Sequence, residues 1–152
     1  MTKLREGGML VAKIHQVAGR VFAKKLKEHG IDEINPAQGR ILFVLWENDG
    51  IPIRDLSART MLEKSTLTSM LDRLEAMGYI VRVPSKEDRR EILIRRTEKD
   101  KAFQKRYFEV SKDMTELFYQ GLTEEEIDRL ESDLATILAN LVSFEAGEKQ
   151  LR

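Results

Sequence analysis

The spacing of apolar residues changes abruptly at Gly78. Before it, Leu67, Met70, Leu71, Leu74 and Met77 recur in steps of three and four, which predicts a helix from about Lys64 to Met77 with one buried stripe. After it, Tyr79-Ile80-Val81-Arg82-Val83 reads with period two as a strand. Pro84 to Arg90 reads as a turn, and Glu91-Ile92-Leu93-Ile94-Arg95-Arg96 as a returning strand. Five charged residues in succession, Lys86-Glu87-Asp88-Arg89-Arg90, make the tip of this hairpin. A single glycine therefore separates a helix from a charged β-ribbon.

Helical periodicity fills the rest. Leu10, Ile14, Val17, Val21, Phe22 and Leu26 mark a first helix that Gly30 stops. Asn35-Pro36 supplies an N-cap and a first-turn proline for a second helix, whose Ile41, Leu42, Val44, Leu45 and Trp46 are apolar nearly all round and predict deep burial. Asn48-Asp49-Gly50 ends it, and a short helix follows from Ile53 to about Thr60. Beyond the hairpin, Thr97 and Asp100 have capping-box spacing. Phe103, Tyr107, Val110, Met114, Leu117 and Phe118 continue as a stripe, which Gly121 breaks. Thr123 and Glu126 open a last helix with Ile127, Leu130, Leu134, Ile137, Leu138 and Leu141 on one side. Long helices with such broad apolar faces exceed what a domain of this size can cover, so a dimer interface built from both chain ends is expected.

Composition narrows the function classes. The 152 residues contain no cysteine, which excludes disulfides, thiolate catalysis and zinc–cysteine sites, and only two histidines, His15 and His29. No metal site or cofactor is expected. There is no glycine-rich phosphate loop and no convergent Ser/His/Asp set, so an enzyme is not expected either. No apolar run reaches the ~20 residues that span a bilayer, and the N-terminus leads into helical periodicity rather than a signal core. A cytoplasmic protein that engages no membrane is the expectation.

A short helix, a tight turn and a helix with a small polar outer face form a helix-turn-helix arrangement. Lys64, Ser65, Thr66, Thr68, Ser69 and Arg73 supply that face. Small hydroxyl side chains let a backbone approach base edges, and a longer cation reaches phosphate or a guanine edge. A solvated Ser/Thr face accounts equally well for this helix alone. The adjacent hairpin adds cations suited to a minor groove, where negative potential attracts arginine.

The stretch from Ile53 to Ala102 resembles the winged helix-turn-helix of the MarR family of bacterial and archaeal transcription regulators. The residues carrying the likeness are Asp55-Leu56-Ser57, Lys64-Ser65-Thr66-Leu67-Thr68, Leu71-Asp72-Arg73-Leu74-Glu75 and Gly78-Tyr79-Ile80. Arg82-Val83-Pro84-Ser85, Asp88-Arg89-Arg90 and Thr97-Glu98-Lys99 complete it. The resemblance implies a mainly α fold with a small β-hairpin wing, as a cytoplasmic homodimer that binds double-stranded DNA at pseudo-palindromic operators, as a repressor. It divides the chain into an N-terminal dimerisation helix (1–34), a DNA-binding domain (35–97) and C-terminal dimerisation helices (98–152). Arg82, Lys86, Asp88, Arg89 and Arg90 become wing contacts, with Arg90 in the minor groove and Asp88 orienting the wing by pairing with an arginine. The family often responds to a small aromatic or phenolic effector, for which Phe22, Phe43, Trp46, Phe103 and Tyr107 are the pocket candidates, although core packing explains them as well. A helical protein–protein interaction scaffold with a winged helix that does not bind DNA is the alternative.

Three positions depart from the family pattern. Glu63 stands where a better N-cap is usual, so the helix start is expected to shift towards Ser65. Arg96 stands where a buried leucine is usual, and is expected either to snorkel to the surface or to shift the register of the wing. Asp100 stands where a glycine is usual. Charge also partitions: the formal net charge of zero resolves into +2 over residues 1–52, +3 over 53–97 and −5 over 98–152. The region expected to meet DNA is thus the more basic one, while bulk attraction to phosphate is weak.

Overall fold

The structure, a computed structural model, describes residues 3–151, with side chains described through residue 148. It is mainly helical with one small sheet. The elements are α1 (Gly7–Glu28), α2 (Pro36–Glu47), β1 (Ile51–Pro52), α3 (Ile53–Thr60), α4 (Lys64–Ala76), β2 (Ile80–Pro84), β3 (Ile92–Arg96), α5 (Glu98–Phe118) and α6 (Glu124–Leu151). The chain divides into two compact units, one up to Met114 and one from Thr115 onward, the division falling inside α5.

Local chemistry sets the element ends in the first unit. Asn35 caps α2, its side chain accepting from the Gln38 N–H at 2.8 Å while Gln38 Oε1 accepts from the Asn35 N–H at 3.0 Å. The end of α4 is a Schellman motif. The Tyr79 N–H donates to the Leu74 carbonyl and the Gly78 N–H to the Glu75 carbonyl, with Gly78 at φ +87°. A side chain at Gly78 would be strained there, which is why helix gives way to strand at this residue.

Leu26, Ile41, Leu42, Leu45, Leu56, Leu67, Leu71, Leu74, Ile80, Ile94 and Val110 are fully buried and form one core with Phe103 and Tyr107. In α2 the burial is one-sided: Ile41, Leu42 and Leu45 are covered, Val44 and Trp46 partly so, and Phe43 is exposed. The Tyr107 phenol lies against Gly39, where any side chain would overlap the ring. Burial pushes its hydroxyl up to about 12.

The sheet holds one more strand than the hairpin, in the order β1-β3-β2, all antiparallel. Ile51 and Pro52 pair with Ile94 and Leu93 across the central strand. Register on the other side runs from Ile80 opposite Arg96 to Pro84 opposite Ile92.

Two expectations are corrected here. First, α4 begins at Lys64 with Glu63 as N-cap, and no side-chain capping bond forms. The Leu67 N–H bonds to the Glu63 carbonyl at 2.9 Å, so the helix starts in place and simply lacks a cap. Second, Arg96 neither reaches the surface nor displaces the strand. Its Nε donates to Asp100 Oδ2 at 2.6 Å, its Nη2 to Gln104, and its side chain is only 13% exposed. Asp100, 0% exposed, also accepts from Trp46 Nε1–H at 3.0 and 3.1 Å, and the Arg96 N–H donates to Asp49. The two departures at 96 and 100 therefore neutralise each other inside the fold. Thr97 makes only half of the expected capping box, accepting from the Asp100 N–H at 3.2 Å while its hydroxyl donates to the Gly78 carbonyl.

In the second unit Thr123 and Glu126 form a reciprocal capping box, with bonds of 3.0 and 3.2 Å, and open α6. Tyr119 donates to Glu131 at 3.1 Å. Leu134, Ile137, Leu138, Leu141, Val142 and Phe144 of α6 are exposed.

Candidate nucleic-acid interface

Helices α3 and α4 are joined by Met61, Leu62 and Glu63. Met61 takes a left-handed conformation at φ +59°, and its N–H bonds to the Ser57 carbonyl. Such a conformation is unusual for a side chain with a Cβ and marks the sharp corner that aims α4 outward. Ser57 Oγ donates to the Leu62 carbonyl at 3.0 Å and Thr60 Oγ1 to the Leu56 carbonyl at 2.7 Å, closing the turn from inside. Because Leu67, Leu71 and Leu74 are buried, Lys64, Ser65, Thr66, Thr68, Ser69 and Arg73 are all exposed on α4. The Thr68 hydroxyl donates to the Lys64 carbonyl at 2.8 Å, which leaves its oxygen lone pairs and its methyl for a partner.

The wing tip is held by its own short side chains. Ser85, buried, accepts from the N–H groups of Glu87 and Asp88. Asp88 Oδ1 accepts from the Arg90 N–H at 3.0 Å and lies 3.5 Å from Arg90 Nε. Asp88 thus shapes the turn carrying Arg90, while the Arg90 side chain is 94% exposed. Lys86 and Arg89 are exposed too. Arg54 of α3 lies 3.0 Å from Glu91 at the wing's return, in charge contact but off hydrogen-bond geometry.

Arg82 is placed differently. Its side chain is 22% exposed, and its guanidinium bonds to Asp72 at 2.8 Å and Glu75 at 2.9 Å, both on α4. The sequence groups it with the tip cations, because strand periodicity assigns it to a face without showing that two helical carboxylates lie opposite. The spacing of Asp72 and Glu75, i and i+3 on one helix face, is the signal that could have found the pairing.

Phe22, Phe43, Trp46, Phe103 and Tyr107 come together, ring against ring. Centroids are 5.2 Å apart for Trp46–Tyr107, 5.6 Å for Phe22–Tyr107 and Phe103–Tyr107, 6.3 Å for Phe43–Trp46 and 6.5 Å for Trp46–Phe103. A cleft of about 770 Å³ lies elsewhere, walled by Lys27 of α1, residues 31–36, Arg73 and Ala76 of α4, and Met77 just beyond it. Beside it, Tyr79 donates to Glu33 at 3.0 Å with Lys99 4.6 Å above its ring. Burial first, then the bond to Glu33, pushes the Tyr79 hydroxyl up to about 12. Among the described residues no group of three His, Asp or Glu side chains is placed to hold a metal ion, and no helix is long and apolar enough to cross a membrane.

A helix-turn-helix flanked by the strands of a three-stranded sheet, two of which form a cationic hairpin after it, defines the winged-helix class. The MarR family profile matches residues 34–92. The regulator SarZ of Staphylococcus aureus is 31% identical over 137 residues, 88% of each chain. The repressor IacR of Pseudomonas putida is 28% identical over 131 residues, 86% of this chain and 77% of that protein. A shorter match, to TtmR of Methylorubrum extorquens, is 36% identical over 81 residues and spans only 40% of that regulator. Among solved structures, a cysteine-to-serine mutant of Escherichia coli MarR complexed with operator DNA superposes with a TM-score of 0.78 at 26% identity, over 90% of this chain and 99% of that one. The chain belongs to the MarR family of winged-helix transcriptional regulators.

Proposed function

We propose that this chain is a sequence-specific DNA-binding regulator, a cytoplasmic repressor that acts as a homodimer on a pseudo-palindromic operator. The observation that carries the reading is the exposed Ser/Thr/Lys face of α4, accompanied in the same compact unit by a preshaped wing tip with three exposed cations. The former suits base edges in a major groove and the latter a minor groove. The operator complex of Escherichia coli MarR and the name of IacR as a repressor support the same reading. The homodimer is supported by Met9, Leu10, Ile14 and Val17 of α1 and by Leu134, Ile137, Leu138 and Leu141 of α6, all left exposed in the single chain.

Selection of bound DNA fragments with purified protein tests this directly. The expected result is an inverted repeat with half-sites about one helical turn apart, bound at two chains per site. Recovery of no sequence above background would refute operator recognition and leave a helical interaction scaffold as the reading.

Release by a small aromatic or phenolic effector is the second part of the proposal. The cleft beside Arg73 and Met77 supports it, because an occupant there would bear on α4 itself. Titrating a hydroxybenzoate into the protein–DNA complex should lower affinity. Unchanged affinity across the titration would remove this part.

A further inference from the structure

We propose that Arg82 is a positioning residue, a strut that sets the angle between the wing and the reading helix before DNA is met, and not a DNA contact. The inference rests on the DNA-binding reading above and reassigns one residue within it. Arg82 is the third residue of β2, an edge strand of the sheet. Three of its hydrogen bonds go to α4: Nη1 to Glu75 Oε1 at 2.9 Å, Nη2 to Asp72 Oδ1 at 2.8 Å, and the backbone N–H to Glu75 Oε2 at 3.1 Å. The planar fork of a guanidinium holds two carboxylates at once, which a point charge on a flexible stem does not.

Geometry and charge both separate Arg82 from the tip. Its side chain is 22% exposed where that of Arg90 is 94% exposed, and both terminal nitrogens are already engaged. To meet phosphate it would have to abandon two ion pairs. Leaving them would also unpair two acidic side chains on the face of α4 that carries Ser65, Thr68 and Ser69, where unpaired carboxylates repel a phosphate backbone. The strut therefore has two consequences: strand and helix are held in one relative orientation, and the acids of the reading helix are kept paired.

The test compares Arg82→Gln, Arg82→Lys, Asp72→Asn and the Arg82→Gln/Asp72→Asn double variant in the full chain. Affinity for the selected DNA is measured across a salt series, and amide exchange of residues 80–96 is measured in the free protein. Arg82→Gln and Arg82→Lys are both expected to weaken binding about tenfold, with faster exchange across the hairpin and a salt slope unchanged from the parent. The double variant should bind no more weakly than Arg82→Gln alone, because both lesions break one strut. A slope shallower by about one with unaltered exchange would identify a phosphate contact and overturn the proposal. Full affinity in Arg82→Lys, or additive losses in the double variant, would overturn it as well. If the parent chain bound no fragment, the DNA reading would fall, and the exchange measurement would still decide whether the strut exists.

Discussion

Helices α4 and α6 treat their apolar residues in opposite ways. In α4, Leu67, Leu71 and Leu74 are 0% exposed, sealed by the core of one chain. In α6, Ile137, Leu138 and Leu141 are 51%, 49% and 60% exposed, and no described residue of the helix is buried. Both helices repeat their apolar residues at the same spacing, so periodicity alone does not distinguish a finished face from an open one. The apolar face of α4 is completed within one chain, so the geometry of the reading helix can be set before any partner arrives. A helix of 28 residues with so much uncovered apolar area is the surface that the proposed homodimer would cover.

Substitutions can break this contrast. The largest effect is expected from Asp100→Ala, which deprives Arg96 at the end of β3 of its carboxylate partner and removes the acceptor for Trp46. The loss should be about 3–5 kcal/mol in denaturant unfolding. A loss below ~1 kcal/mol would mean that the network adds little beyond the surrounding packing.

Leu42→Ala and Leu138→Ala sharpen the comparison as a pair. Leu42→Ala should cost about 2–5 kcal/mol at any protein concentration, because its cavity is internal to one chain. Leu138→Ala should barely alter the fold of the single chain and should instead raise the concentration at which sedimentation shows dissociation. Equal, concentration-independent losses would remove α6 from the proposed dimer contact.

Arg90→Ala comes next, with about 1–3 kcal/mol of DNA affinity lost at fixed salt and no change in melting temperature, as fits an exposed side chain on a turn held by Asp88. Unchanged affinity would take the wing tip out of recognition. The smallest effect is expected from Glu63→Ser, which supplies the missing cap of α4 and should raise stability by roughly 0.5–1 kcal/mol. No gain would mean that a carboxylate at the helix N-terminus already compensates for the absent hydrogen bond.

Much of the fold was legible because its signals are local. The Asn35-Pro36 start of α2, the glycine stops at 30 and 78, and the Thr123/Glu126 box each act within a few residues, as does the switch of period at Gly78. The two residues of β1 were not legible, since Ile51-Pro52 is too short to show a period and pairs with a strand more than forty residues away. The one-sided burial of α2 was not legible either: Phe43 and Leu42 are equally apolar, and only the neighbours decide which is covered.

The same division runs through the site. Residue types and spacing by themselves determined the helix-turn-helix and the cationic tip, and the motifs they form carry the resemblance to the family. Tertiary structure alone decided which cations are free. Arg82 and Arg90 are both wing arginines in the sequence, yet one faces two carboxylates of α4 and the other faces solvent. Arg96 and Asp100 look like two misplaced charges in the sequence and are one buried pair in the structure. A charge is defined electrostatically by what lies within a few ångströms of it, and for these residues the nearest groups come from segments that meet only when the chain folds.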